Sequence, residues 1–159
     1  MKKTLLSMTL TTLLVAAGSA AAIEQRPILT LEVAKKMAAA CEARAKQEGW
    51  KMNIAILDSG GNLKHFSRMD DSFLKSIEIA QLKAATSAGL PFSTKQIGEI
   101  AAKVPGIAFV PGIVTFEGGL PILTGDGKHI GSIGVSGATA DQDGICAQAG
   151  LDAVKNDLK

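Results

Sequence analysis

Residues 114–137 constrain the fold of this 159-residue chain more than any other stretch, because they put glycine where a strand needs bulk. Gly118-Gly119 precede an apolar run ending at Thr124, Gly125-Asp126-Gly127 reads as a turn, and Ile130 to Val135 as the returning strand. Asp-Gly between two apolar strands is a strong hairpin signal, since glycine takes the positive φ such turns require. Gly131, Gly134 and Gly137 then thin out the returning strand. Glycine inside a strand marks a bulge, or the close approach of a ligand or another backbone. The hairpin therefore reads as a ligand wall or a tight subunit contact.

The flanking segments read as helices and a second hairpin. Thr30 caps a helix running to about Glu48, with Leu31, Ala34, Met37, Cys41 and Ala45 on one stripe and Gly49 as its stop. Met52, Ile54 and Ile56 alternate as a strand, Asp58 to Asn62 is a dense turn signal, and Leu63 to Arg68 pairs back. A second helix starts near Ser72, with Phe73, Ile77, Ala80, Ala84 and Ala88 facing inward, and ends at Gly89. Ser93 and Gln96 form a capping box for a short third helix that Pro105 terminates. Residues 106–113 read as irregular with one short strand. Thr139 or Asp141 starts the last helix, with Ile145, Ala149 and Val154 inward. The order predicts an α+β domain with a largely antiparallel five-stranded sheet and helices packed on it.

Lys2 and Lys3 followed by the apolar run Leu5–Ala17 and Ala20-Ala21-Ala22 read as a secretory signal peptide over residues 1–22. Residues 23–159 then form one domain, expected to be periplasmic or secreted, with no membrane span after signal removal. The chain carries 17 Lys+Arg and 15 Asp+Glu; two of the lysines lie in the signal, so its remainder is balanced. Nothing suggests a nucleic-acid footprint, which needs a clustered basic excess. An oxidising compartment permits a bridge between Cys41 and Cys146, but their place on apolar helix faces favours two buried thiols acting as small hydrophobes.

Several motifs resemble the GlcG/HbpS-like family, which includes haem-binding proteins and the C-terminal domain of PduO-type corrinoid adenosyltransferases. They are Leu57-Asp58-Ser59-Gly60-Gly61-Asn62-Leu63, Arg68-Met69-Asp70, Ser76 to Ala80 leading into Lys83 to Thr86, and Phe116 to Ile122. Ile130 to Gly137, Gln142-Asp143 and Ala149-Gly150-Leu151 continue the match, which spans roughly residues 28–154. The resemblance implies a profilin-like sandwich, assembly into a homo-oligomer (tetramer or octamer), and for some members haem as cofactor.

Haem iron is held chiefly by His, Met, Cys or Tyr. The chain has no Tyr and two histidines, His65 and His129, so an axial imidazole comes from one of them. His65 is favoured, with Phe66 as a stacking face and Arg68 as a propionate partner; each histidine also reads as an ordinary strand residue. Arg68 and Asp70 read equally as a carboxylate clamp or as a structural pair. Lys83 reads as a contact to an anionic ligand or to an acidic group across an interface. Gly118, Gly119, Gly134 and Ser136 read as a pocket wall without phosphate specificity, since no P-loop pattern follows. The leading expectation is an exported oligomer binding haem or a related tetrapyrrole in iron handling or sensing. The alternatives are an enzyme acting on a small organic acid or oxidised metabolite through His65, Asp70 and Lys83, and a structural or sensory partner of another exported protein.

Overall fold

The computed structural model describes residues 26–159, so the signal-peptide reading falls outside the described residues. Helix α1 (Leu31–Glu48) begins where the Thr30 hydroxyl accepts the Val33 N–H at 3.2 Å. It ends at Gly49, whose φ of 74° is readily taken by glycine. Strands β1 (Asn53–Asp58) and β2 (Leu63–Arg68) follow. Their turn is gathered by one carboxylate: Asp58 Oδ1 accepts the N–H groups of Gly60 and Asn62 and the Asn62 side-chain amide. Then come α2 (Lys75–Gly89), α3 (Thr94–Lys103), a 3₁₀ turn (Pro105–Phe109), β3 (Gly119–Leu123), β4 (His129–Ser136) and α4 (Ala140–Val154). Capping boxes open α3 at Ser93/Gln96 and α4 at Thr139/Gln142.

The four strands lie in the order β2-β1-β4-β3, every neighbouring pair antiparallel. The sequence suggested five. Between residues 106 and 113 the chain instead makes the 3₁₀ turn, and Pro105 and Pro111 each withhold an N–H that a ladder would use. One sheet face packs on α1 and α4 through Ile54, Ile56, Ile122, Ile133 and Val135 against Met37, Ala38, Ala147 and Val154. The other packs on α2 through Ala55 and Leu57 against Ala80 and Ala84, with Phe66 alongside. The result is a three-layer sandwich.

Cys41 of α1 and Cys146 of α4 are bonded as a disulfide, Cα atoms 4.7 Å apart, which corrects the expectation of two thiols. Both residues are fully buried, in accord with their expected place on inward helix faces, and the bridge lies where α1 and α4 meet. Two inward faces also differ from expectation. Helix α2 buries Ser76, Ala80, Lys83, Ala84, Thr86 and Ser87, while Phe73 precedes it and stays 51% exposed. Helix α4 buries Asp143, Cys146, Ala147, Gly150 and Val154, leaving Ile145 44% exposed. Small side chains outrank large ones on both faces because the helices lie close to their neighbours. The two ends of the described chain meet: Pro27–Thr30 and Asp157–Lys159 line one small cleft of about 130 Å³. Among the described residues no helix is long and apolar enough to cross a membrane.

Candidate functional site

The glycines of the C-terminal hairpin do admit close approach, but to the chain's own helices. A Cβ on Gly134 would run into Ala80 O, Ala84 N and the Ala84 methyl of α2. One on Gly119 would meet the Lys83 carbonyl and the Thr94 methyl, and one on Gly131 would meet Leu57 O across the sheet. Gly118, Gly119 and Gly134 are buried, as is Ser136 at the end of β4. None of these four residues lines the clefts described below. They set the distance between layers.

The same glycines leave a channel for one long side chain. Lys83 is fully buried, and its ammonium donates to Asp143 Oδ2 at 2.6 Å and to Val135 O at 3.0 Å. The Phe116 ring lies over the ammonium at 4.8 Å, a cation–π contact. At Gly118 the backbone φ is 126°, and a Cβ there would press on Lys83 Nζ. Asp143 also accepts from the Ala138 N–H at 3.1 Å. Burial pushes the Lys83 pKa below its usual value and the Asp143 pKa above its own, and in both cases the partner's charge opposes the shift. Lys83 thus ties α2, in one layer, to α4, in the other. It meets an acidic group as expected, but within the chain rather than across an interface or on a ligand.

Sequence reasoning assigned no role to Asp143 or to Glu117. Glu117 packs on Gly144, pairs with Lys95 at 2.9 Å and adds to the field on Lys83. The signal for the pair was a single charge on each of two small-residue faces, Lys83 among alanines and Asp143 beside Gly144 and Ala147.

The histidines stand apart. His65 lies on edge strand β2 opposite Ile56, on the α1 side of the sheet, half-buried with Nε2 3.3 Å from Ser67 Oγ. Adjacent strand residues face opposite ways, and Phe66 packs on the α2 side, so the two do not form one stacking surface. His129 begins β4 on the other half of the sheet; it is half-buried and its Nε2 has no hydrogen-bond partner among the described residues. The two rings do not converge. The Met69 thioether, a donor type that iron also takes, already accepts the Met52 N–H at 3.4 Å.

Arg68 and Asp70 are exposed and line an open polar cleft of about 280 Å³ with Glu42, Lys46, Lys51 and Met69. An apolar cleft of about 340 Å³ opens between α2 and the β1–β2 turn, lined by Leu57, Leu63, Gln81, Leu82 and Ala85. Another, of about 380 Å³, lies between β3 and α4. The acid–base set His65, Asp70 and Lys83 is not assembled: Lys83 is sealed under α2, and the sheet separates it from His65.

Residues 29–152 match the family described as haem degrading protein, HbpS-like. Protein GlcG of Escherichia coli strain K12 is 37% identical over 116 residues, covering 72% of this chain and 85% of that protein. A double mutant of Streptomyces reticuli HbpS superposes with a TM-score of 0.79 at 30% identity, covering 91% of this chain and 99% of that one. The PduOC:haem complex superposes at 0.73 with 28% identity, over 80% and 95%. Matched over nearly all of its described residues, the chain belongs to the HbpS-like family.

Proposed function

We propose that this protein is an exported, self-associating haem-binding protein acting in haem or iron handling. The observation that carries the reading is the likeness to a structure solved as a haem complex across four-fifths of the chain. The chain's own residues fit the group. Two imidazoles are the donors available to iron, and Arg68 with Lys51 and Lys46 offers cations to propionates at the rim of the polar cleft. His65 is the better-placed ligand, because it sits on an edge strand, whereas the His129 Nε2, though unpartnered, is buried. Bound haem would supply the iron and the redox-active ring; the chain would supply the axial nitrogen, the charged rim and the exclusion of water.

The clefts of the single chain are open and lie near or below the lower end of the usual ligand-site range of about 300–1,000 Å³. A macrocycle would lie on this surface with a second copy over its other face, which accords with a tetramer or octamer. The buried Cys41–Cys146 bridge favours an oxidising compartment, periplasmic or extracellular.

Haemin added to the purified chain is expected to give a Soret band shifted from that of free haemin. His65→Ala is expected to lose the shift and His129→Ala to keep it. Loss in His129→Ala alone would transfer the ligand role; spectra identical to free haemin in all three proteins would end the haem reading.

A further inference from the structure

Between α3 and β3 the chain runs thirteen residues, Val104 to Phe116, without a charged side chain. Every residue from Ala102 to Gly112 is exposed except Ile107, which is half-buried. Helix α3 sends only Thr94, Ile97 and Ala101 inward, and the 3₁₀ turn buries nothing. Phe109 stands 83% exposed, with Val104, Val110, Phe92 and Ile100 on the same segment also open to solvent.

This apolar arm is built, not loose. Its far end is pinned to α2, where the Thr86 hydroxyl contacts Gly112 O at 3.2 Å and accepts the Val114 N–H at 3.0 Å. Along it, Ile107, Val110 and Ile113 each donate an N–H to the carbonyl three residues back. Proline at 105 and 111 stiffens both ends. Ordered apolar surface of this extent marks a place where something docks.

We propose that the arm from α3 to Val110 is the surface on which a second copy of this chain docks. The exposed parts of its aromatic and branched side chains amount to on the order of 600 Å² per copy, against the roughly 800 Å² per partner, a little over half of it apolar, of a standard interface. Charge agrees. Lys95, Glu99 and Lys103 recur every fourth residue along α3, so opposite signs meet when two antiparallel copies of the helix are offset by about one turn, Lys95 of each copy then facing Glu99 of the other. A membrane surface would instead ask for a cationic rim, and here Glu99 and Glu117 offset the lysines. This assigns a surface to the self-association proposed above and does not depend on the ligand.

Light scattering on the purified chain is expected to give a mass above one copy. Phe109→Asp is expected to weaken assembly by at least about thirty-fold, as loss of an interface anchor does, with an unchanged far-ultraviolet spectrum. Val104→Lys should act likewise, which covers the case in which one variant misfolds. Leu31→Asp, at a leucine on α1 nearly as open as Val104, should keep the wild-type mass. An oligomer unaffected by the arm variants would overturn this surface while leaving self-association standing; a monomeric wild type would overturn both. Equal loss in Leu31→Asp, or loss of binding to anionic vesicles with the mass unchanged, would also overturn the proposal.

Discussion

Lys83 carries a charge out of contact with bulk solvent, and its surroundings explain how. Its ammonium has a carboxylate, a carbonyl and an aromatic face, so little of its donor capacity is wasted. Removing one member of a buried pair leaves the other uncompensated, at a cost of about 3–5 kcal/mol, whereas replacing both with apolar groups can be nearly neutral. Chemical denaturation should therefore show Lys83→Met and Asp143→Leu each strongly destabilised and the double variant largely restored; simple additivity would refute the pairing. The pH dependence follows from the directions of the shifts. With the Lys83 pKa lowered, the unfolded chain binds the extra proton between that value and the ordinary lysine range, so the penalty eases as pH rises there. With the Asp143 pKa raised, the folded chain binds it just above the ordinary carboxylate range, so the penalty eases as pH falls there. The double variant should gain most on the wild type near neutrality and less toward acid and alkali, read from urea midpoints across pH. A difference that does not vary with pH would count against burial as the cause. Lys83 was recognisable in the sequence as a lone cation among alanines. Its partner was not, because pairing across sixty residues depends on which helix faces touch.

Elements announced themselves through their ends. Thr30, Gly49 and Ser93/Gln96 were read correctly, and Thr139 was one of the two starts offered for α4, because caps are local hydrogen bonds that neighbouring residues specify. The inward faces of α2 and α4 were read less well, since ranking by hydrophobicity favoured Phe73 and Ile145 over small residues. The depth of α2 on the sheet is set by Gly134, a residue on another element. Gly134→Ala should lower the melting temperature through overpacking worth roughly 1–3 kcal/mol, and a variant as stable as the parent would show that the helix can simply ride up. The α1–α4 bridge closes a separation of 105 residues. Replacing Cys41 and Cys146 together by Ala should cost about 2–5 kcal/mol in denaturant midpoint. Both cysteines being buried, a reductant should act on the folded wild type only as fast as it opens; rapid thiol release without unfolding would contradict that burial.

At the scale of the whole molecule, element order and short turns were enough to give an antiparallel α+β sandwich, because sequential strands pair with their neighbours. The strand count came out one too high, since Pro-Gly pairs read equally as a strand edge or as a 3₁₀ turn. The candidate site was the least readable part. Glycine signals close approach without saying by what, and here the visitor is the protein's own helix. His65 and His129 were visible as residues but their separation on the sheet was not. Pro27–Thr30 and Asp157–Lys159 lie side by side in one cleft. The described residues nearly close a ring, so a short peptide tether joining Lys159 to Pro27, with fresh termini cut at the exposed Gly60-Gly61 tip, should yield a rearranged polypeptide of the same architecture. Such a permutant would leave the α3 arm untouched while moving the free termini to the Gly60-Gly61 tip for fusion or immobilisation.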